Sequence, residues 1–162
     1  MPQNTRIIAG SGGLAGGDHP VAPVQIGQDS RLHQSRGLHQ RPMFPRGRAG
    51  LAAMLRFLKG GGWMALGFDQ FDDHGTELRF FGLPTKTVLT PAELALRYDA
   101  LILPIAGVRQ PDGLSFRVEV GEPVAHSDAA TMMQALNDDL ERLVRAHMEQ
   151  WFWVHRRWKR RR

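Results

Sequence analysis

The sequence predicts a single α/β domain, a partial α/β sandwich with a mixed sheet and a long C-terminal helix. Two apolar runs, Trp63–Phe68 and Leu101–Gly107, have the length of buried strands and lie among glycine, proline and acidic residues. Segments with helical spacing of apolar residues alternate with these runs, in the order helix, strand, helix, strand, strand, helix. The length of 162 residues suits one domain with a hydrophobic core.

The first 45 residues differ in composition from the rest. Met1 to Gly17 is rich in glycine, Gln25 to Pro45 is polar, and only Val21–Val24 resembles a short strand. Their apolar content is too sparse to offset a chain entropy of roughly 1–2 kcal/mol per residue. We therefore expect an irregular, loop-like or disordered segment over residues 1–45, an α/β domain over 46–158 and a basic tail over 159–162.

Glycine and capping signals set the bounds of the first elements. Apolar residues at helical spacing predict a helix over Gly50–Lys59, which three glycines end before the strand Trp63–Phe68. Thr90 as N-cap, Pro91 at the first helical position and Glu93 in a capping box predict a second helix, ending near residue 98.

The second half of the chain supplies two strands and the last helix. Leu101–Gly107 reads as a buried strand that Pro104 moves towards a sheet edge or a bulge. Leu114–Val120 alternates apolar and polar residues after a turn, as a half-exposed strand does. Ser127 or Asp128 then caps a long helix ending near residue 148.

Composition and charge exclude several classes of protein. The chain has no cysteine, so disulfides, thiolate metal sites and cysteine nucleophiles are absent. No apolar run reaches membrane-spanning length, and the N-terminus lacks the apolar core of a signal peptide. The net charge is +5, but six of the 21 cations lie in Arg156–Arg162, and the other 15 fall one short of the 16 acidic residues. A nearly neutral body disfavours nucleic-acid binding, although the tail suits a phosphate backbone or an anionic membrane.

Polar residues follow the first predicted strand. Asp69 and Gln70 come directly after it, followed by Asp72, Asp73 and His74. The carboxyl ends of strands are where α/β folds bind ligands, so these residues form a candidate site. The alternative is a polar strand end that caps a nearby loop.

Two aromatic stretches also admit two interpretations each. Phe80–Phe81, followed by glycine and proline, forms either part of an apolar ligand groove or a loop pinned to the core. Trp151–Trp158 combines tryptophan with arginine, which favours the headgroup zone of a membrane. The alternative is an aromatic plug on the sheet with a solvated tail.

Five blocks of the sequence occur in a characteristic order and spacing. They are Pro45–Leu51 (PRGRAGL), Leu58–Gly62 (LKGGG), Asp69-Gln70, Phe80-Phe81-Gly82 with Thr85 and Thr87, and Glu149–Trp158 (EQWFWVHRRW). Together they resemble the lipid A biosynthesis acyltransferases of the lauroyl- and myristoyl-transferase type, within the glycerolipid acyltransferase superfamily. The last block resembles the family's Glu-Gln-Trp/Tyr-x-Trp-x-His-Arg-Arg-Phe/Trp. The resemblance covers roughly Val21 to Trp158 and is firm from Pro45 onward.

The resemblance implies an acyltransferase-type sandwich at the cytoplasmic face of the inner membrane. Such an enzyme transfers a fatty acyl chain from an acyl carrier protein thioester to a hydroxyl of a lipid A precursor, with no cofactor and no metal. It also implies that Asp69 and Gln70 lie near the acceptor pocket, and that Arg46 and Arg48 bind phosphate or carboxylate groups. Solvated surface charge is the alternative for the two arginines, and His155 reads as structural.

The family's catalytic base does not appear in this sequence. The family uses a histidine, which deprotonates the acceptor hydroxyl, and a carboxylate five positions later, which orients it. None of the seven histidines here has a carboxylate at that spacing, and the family's N-terminal membrane helix is missing. We therefore expect a truncated or frame-disturbed, peripheral protein that is inactive alone, with His74 as the substitute base. The alternative is a non-catalytic remnant that binds membrane or lipid through its aromatic-basic C-terminus.

Overall fold

The computed structural model of the chain describes residues 6–11, 44 and 48–159. The described residues form six strands, three α-helices and one turn of 3₁₀-helix. In chain order they are β1 (Arg6–Ser11), α1 (Arg48–Lys59), β2 (Trp63–Gly67), β3 (Thr76–Phe80), β4 (Leu83–Thr87), α2 (Thr90–Tyr98), β5 (Leu101–Arg109), β6 (Phe116–Val120), α3 (Ala129–Ala146) and the 3₁₀ turn Met148–Gln150.

The principal sheet is mixed and has four strands in the order β2-β1-β5-β6. β1 is parallel to both β2 and β5, whereas β6 is antiparallel to β5. Gly10 near the end of β1 lies opposite Gly67 of β2 and Ile105 of β5, so the carboxyl ends of β1 and β2 lie level at one edge. The predicted α/β class, with a mixed sheet and a long C-terminal helix, is confirmed.

The strand β1 corrects the prediction for the N-terminus. An irregular segment was expected through residue 45, yet Arg6–Ser11 forms an inner strand of the sheet. The short run Arg6–Ser11 shows little periodicity and is followed by glycines, so the sequence did not indicate a strand here. Its backbone is fixed because it forms hydrogen bonds with a strand on each side. Val21–Val24 lies outside the described residues, and the division of the chain into three segments remains a prediction.

The strand β5 also lies inside the sheet, between β1 and β6. The prediction that Pro104 moves this strand towards a sheet edge or a bulge is therefore wrong. The proline is tolerated because β6 ends beside it: the last pair of that ladder is Ile105–Val120. Beyond that pair, the backbone N–H of Gly121 donates to the Pro104 carbonyl at 2.9 Å. The N–H that proline lacks therefore falls where the ladder to β6 has finished.

The Phe80–Phe81 stretch forms a β-hairpin rather than a loop. β3 pairs antiparallel with β4, and Phe80 lies opposite Leu83. The two residues between them, Phe81 and Gly82, have φ of 52° and 71°. Positive φ at both central residues is what a type I′ hairpin turn requires, and it matches the twist of the strands. The turn leaves the Phe80 side chain buried.

A capping side chain explains the start of α3 but not that of α2. Asp128 is the N-cap of α3, and its carboxylate accepts from the Thr131 backbone N–H at 3.0 Å, as predicted. In α2 the N-cap is Leu89, without a side-chain hydrogen bond, so the prediction of Thr90 as N-cap is wrong. Thr90 is instead the first helical residue, and the Glu93 N–H bonds to the Leu89 carbonyl at 3.0 Å.

The core lies between the sheet and the helices. α3 contacts β3, β5 and α2, while α2 contacts β1 and β5. The buried stripe of α3 interrupts its apolar residues once, at Asn137. Within the described residues, no helix is both long enough and apolar enough to cross a membrane. The buried apolar side chains include Met54, Leu58, Met64, Phe68, Phe80, Ile102, Val108, Met132, Met133, Leu136, Leu140, Val144 and Trp151.

Candidate functional site

The guanidinium of Arg157 lies at the centre of a buried polar network. The side chain is 1% exposed. Its Nη1 donates to the backbone carbonyls of Gln70 at 2.9 Å and Lys86 at 3.0 Å. Its Nη2 donates to Thr87 Oγ1 at 2.8 Å and Asn137 Oδ1 at 3.2 Å. The C-terminal segment is thereby tied to β4, to α3 and to the residues that follow β2.

Burial changes the acid–base behaviour of this arginine. Desolvation lowers the pKa of Arg157 from its usual value to about 10, and the negative charge of Asp69 opposes that shift. Because this pKa is still well above neutral, the guanidinium remains protonated near pH 7. Arg157 therefore supplies a fixed positive charge beside the end of β2.

Aromatic rings pack around the arginine and close this side of the core. The ring of Trp158 stacks on Phe80 at a centroid distance of 5.5 Å, and Trp151 lies 5.8 Å from the same ring. His155 Nε2 accepts a hydrogen bond from the Phe71 N–H at 3.0 Å, which agrees with its predicted structural role. For these residues the structure supports the aromatic plug.

A short part of the same segment remains exposed. Phe152, Trp153 and Val154 are 55%, 47% and 82% exposed, and we call them the exposed aromatic segment. Trp153 lies 6.4 Å from the ring of Phe81, so this segment adjoins the tip of the β3–β4 hairpin. The neighbouring Arg156 is also exposed. The C-terminal block thus divides into a buried plug and an apolar surface beside a basic residue.

The predicted pair Asp69 and Gln70 lies just beyond the carboxyl end of β2. Asp69 is 8% exposed, while the Gln70 side chain is exposed. Arg157 Nη1 donates to the Gln70 backbone carbonyl, so this contact does not use the side-chain amide of Gln70. A charged carboxylate and an accessible amide at this edge suit the recognition of polar groups on a ligand.

His74 occupies an exposed turn before β3. Its backbone N–H bonds to Asp72 Oδ1 at 2.9 Å. Among the described residues, no side chain forms a hydrogen bond or an ion pair with its ring, and no cluster of three acidic or histidine side chains suits a metal ion. The carboxylates adjacent in sequence therefore do not orient this histidine as a base.

Of the two predicted anion-binding arginines, Arg48 lies within the described residues and Arg46 does not. Arg48 is the first residue of α1 and is exposed. Arg46 lies outside the described residues, so its binding of phosphate or carboxylate groups remains a prediction. An exposed arginine at a helix start is equally compatible with solvated charge.

A cavity of about 310 Å³ opens near the carboxyl end of the sheet. It lies between the β5–β6 pair and the second half of α3. Phe68, the residue before Asp69, forms part of its wall. The other lining residues are Pro104, Ile105, Ala106, Glu119, Val120, Gly121, Asp139, Leu140, Arg142, Leu143 and Ala146.

Reasoning from the sequence missed the network around Arg157. Arg157 lies in a run of basic residues that reads as a solvated tail, and its partners are far away in the chain. One signal was present: Asn137 stands at a buried position of the α3 stripe, and a buried amide needs hydrogen-bond partners. Its Nδ2 donates to the Arg79 carbonyl at 3.2 Å and to Thr87 Oγ1 at 3.3 Å.

Comparison with known proteins shows one matching family and two similar relatives. The sequence pattern of the family described as bacterial lipid A biosynthesis acyltransferase matches residues 27–160. Two curated proteins, each a phosphatidylinositol mannoside acyltransferase of Mycobacterium tuberculosis (strains CDC 1551 / Oshkosh and ATCC 25618 / H37Rv), are 32% identical over 84 residues. That alignment covers 52% of this chain and 27% of each relative.

Proposed function

The chain belongs to the bacterial lipid A biosynthesis acyltransferase family, and from this membership we propose that it serves the transfer of a fatty acyl chain to a hydroxyl of a glycolipid. The donor in this proposal is an acyl carrier protein thioester, and the acceptor is a lipid A precursor. The relatives support the acceptor class, because their name describes acylation of a glycolipid, phosphatidylinositol mannoside. We place the protein at the cytoplasmic face of the inner membrane, bound peripherally.

One observation carries the proposal. Three blocks that resemble the family meet at Arg157, which binds the Gln70 carbonyl, the β4 backbone and the Thr87 hydroxyl. The network holds Asp69 and Gln70 at the carboxyl edge of the sheet, where α/β folds bind ligands. In this proposal the three blocks together fix the polar residues Asp69 and Gln70 for contact with the acceptor.

The chemistry of acyl transfer sets the role of each group. The acceptor hydroxyl attacks the thioester carbonyl, the carbon–sulfur bond breaks, and the proton of the hydroxyl must pass to a base. Among the described histidines, the His74 ring has no side-chain partner, whereas the rings of His126 and His147 lie 3.8 Å from an Asp99 carboxylate oxygen and 3.9 Å from a Glu119 carboxylate oxygen, beyond hydrogen-bond distance. In this proposal Asp69 and Gln70 contact polar groups of the acceptor, and Arg46 and Arg48 contact its phosphates.

Binding of the acceptor tests this proposal without requiring turnover. We expect the purified chain to bind a lipid A precursor in mixed micelles, and Gln70→Ala or Arg48→Ala to weaken binding several-fold. Arg56→Ala is the matched control, because Arg56 is exposed on the same helix, α1. Equal loss in Arg48→Ala and Arg56→Ala indicates general charge attraction and contradicts the proposed acceptor site.

A second candidate function follows from the exposed aromatic segment. A non-catalytic protein that binds an anionic membrane would use Phe152, Trp153 and the basic residues beside them. Trp153→Ser is expected to weaken binding to phosphatidylglycerol vesicles. Leu114→Ser is its matched control, because Leu114 is 88% exposed in the turn before β6. Vesicle binding without any acceptor preference favours this second candidate over the first.

A further inference from the structure

We infer that the outer edge of β6 pairs with the same edge of a second copy of this chain, across a two-fold axis. Among the residues that the structure describes, β6 (Phe116–Val120) is an outer strand of the principal sheet. An outer strand presents backbone groups to which another strand can bind. The inference concerns assembly and does not depend on the proposed function.

The hydrogen bonds to β5 determine which backbone groups of β6 face outward. The Gly121 N–H, directly after β6, donates to the Pro104 carbonyl at 2.9 Å. Such contacts recur at every second residue of an antiparallel pair, so the odd-numbered residues of β6 face β5. The residues whose backbone N–H and C=O point to the outer side are therefore Phe116, Val118 and Val120.

The charges of β6 favour one register of the pairing. When Val118 lies opposite Val118 of the second copy, Arg117 of each copy lies opposite Glu119 of the other. This register also matches the outward backbone groups of the two strands. Moving the pairing to the next register that matches them places two arginines or two glutamates opposite each other, which is destabilising. The strand is therefore complementary to itself in a single register, as a two-fold interface requires.

Arg117 and Glu119 already form an ion pair within the strand, and this pair leaves groups for the second copy. Arg117 Nε and Nη2 both donate to Glu119 Oε1, at 3.1 and 2.6 Å. Arg117 Nη1 and Glu119 Oε2 take no part in that contact, and the two side chains are 59% and 36% exposed. In the paired strands the four charges alternate in sign, so each arginine has a glutamate in its own strand and one in the other.

The opposite face of β6 supplies apolar contacts. Side chains alternate between the faces of a strand, so Phe116, Val118 and Val120 share one face. The two valines are 64% and 56% exposed. The pairing brings Val118 beside Val118 and Val120 beside Phe116, and such β-branched and aromatic pairs stabilise sheets. β6 has no proline, lysine or bulge, which are common means of protecting an outer strand.

A single introduced thiol tests the register, because the chain has no cysteine. Val118→Cys places the two thiols in a hydrogen-bonded pair with Cα atoms about 5.5 Å apart, a separation that a disulfide spans. Val120→Cys is the matched control, because its two copies lie four residues apart along the strands, about 14 Å. With oxidised glutathione, we expect Val118→Cys to form a covalent dimer on non-reducing electrophoresis and Val120→Cys to remain largely monomeric.

Charge reversal tests the contact without a covalent link. Five paired residues per strand make a small interface, so we expect sedimentation equilibrium to show a dimer that dissociates at micromolar concentrations. Arg117→Glu or Glu119→Arg gathers four like charges and is expected to weaken self-association at least about tenfold. An equimolar mixture of the two variants opposes every charge with its opposite, so dimers should return. Arg97→Glu, at an exposed position of α2, should leave self-association unchanged.

Backbone pairing is tested at the centre of the interface. Val118→Pro removes an outward N–H and no hydrogen bond to β5, so the monomer should remain folded while the dimer is lost. Val118→Thr keeps the N–H and the branched side chain and should still dimerise.

Several results overturn the inference. Equal disulfide formation by both cysteine variants contradicts the register, and a mixture of the charge variants that stays monomeric contradicts the ion pairs across the axis. A natural chain that is monomeric up to its solubility limit contradicts the dimer. Strong protection of the Val118 N–H from hydrogen exchange in that monomer would assign the edge to another segment of the same chain. Vesicle binding by the monomer that Val118→Pro weakens would assign the edge to a membrane.

Discussion

Arg157 and Gln70 stand 87 positions apart in the chain, yet the arginine guanidinium donates to the glutamine backbone carbonyl at 2.9 Å. The contact joins the last block of the chain to the residues that follow β2. It uses the backbone of Gln70 rather than its side chain. The network can therefore fix the loop while the amide group remains accessible to a ligand.

Replacing Arg157 with methionine is expected to lower the free energy of unfolding by roughly 3 kcal/mol, because several buried acceptors lose their donor. Urea denaturation measures the change. Arg156→Met is the matched control: Arg156 is exposed, and its loss is expected to cost no more than about 0.5 kcal/mol. Similar losses in both variants would show that the network does not stabilise the fold.

Arg157 and Asn137 are expected to be energetically coupled. Asn137 Oδ1 accepts from Arg157 Nη2 at 3.2 Å, so removing the arginine already leaves that oxygen without its donor. In a double-mutant cycle, the loss in Arg157→Met with Asn137→Leu should be smaller than the sum of the single losses by roughly 0.5–3 kcal/mol. Arg157→Met with Asp128→Ala is the control pair. Its effects should add, because Asp128 shares no hydrogen-bond partner with the arginine in the described residues.

The N-cap of α3 is expected to make stability depend on pH. The pKa of Asp128 is lowered below 3.8 because its carboxylate accepts two hydrogen bonds from Thr131. The bond from the Thr131 hydroxyl has the larger effect, and the bond from the Thr131 backbone N–H has the smaller one. A lowered folded-state pKa stabilises the protein above pH 3.8, and this contribution is lost as the pH falls through the folded-state pKa. Asp128→Ala should therefore lower the thermal midpoint at pH 7 and have a smaller effect near pH 2.5.

Asparagine at the same position separates charge from capping. An asparagine side chain still caps a helix but does not titrate, so Asp128→Asn should retain most of the thermal midpoint at pH 7. The midpoint of this variant should also fall less than that of the natural chain between pH 7 and pH 2.5. An Asp128→Ala effect of equal size at both pH values contradicts the assigned titration.

The purified chain alone is expected to show no acyl transfer above background. A positioned general base contributes typically about 10²–10⁴-fold to the rate, and His74, the candidate substitute, has a ring that no described carboxylate orients. The assay supplies an acyl carrier protein thioester and a lipid A precursor and follows the acylated product. Transfer by the natural chain that His74→Ala abolishes, in a folded variant, would show that His74 is the base after all.

Local patterns were sufficient to predict several elements. The three glycines after Lys59, the Asp128 cap and the apolar stripe of α3 depend on neighbours within a few positions, and the structure confirms them. The structure also confirms that Trp63–Gly67 is a strand of the sheet and that the fold is of the mixed α/β class. Both follow from the spacing of apolar residues and from the glycine, proline and acidic residues that bound each element.

Other features depend on residues distant in sequence. Arg6–Ser11 forms a strand because β2 and β5 pair with it on both sides, and nothing within that short run requires it. Pro104 is accommodated within β5 because β6 ends beside it, which only the register of the pair determines.

By itself, the sequence determined the fold class, the end of α1, the cap of α3 and the family blocks, because short-range periodicity, capping and block order are written in consecutive residues. Only the tertiary structure decided that Arg157 is buried rather than part of a solvated tail, and that a cavity lined in part by Phe68 opens between the β5–β6 pair and α3. The physical reason is that a charge is buried only where distant backbone and side-chain acceptors converge on it. That convergence depends on the packing of β4, α3 and the loop after β2.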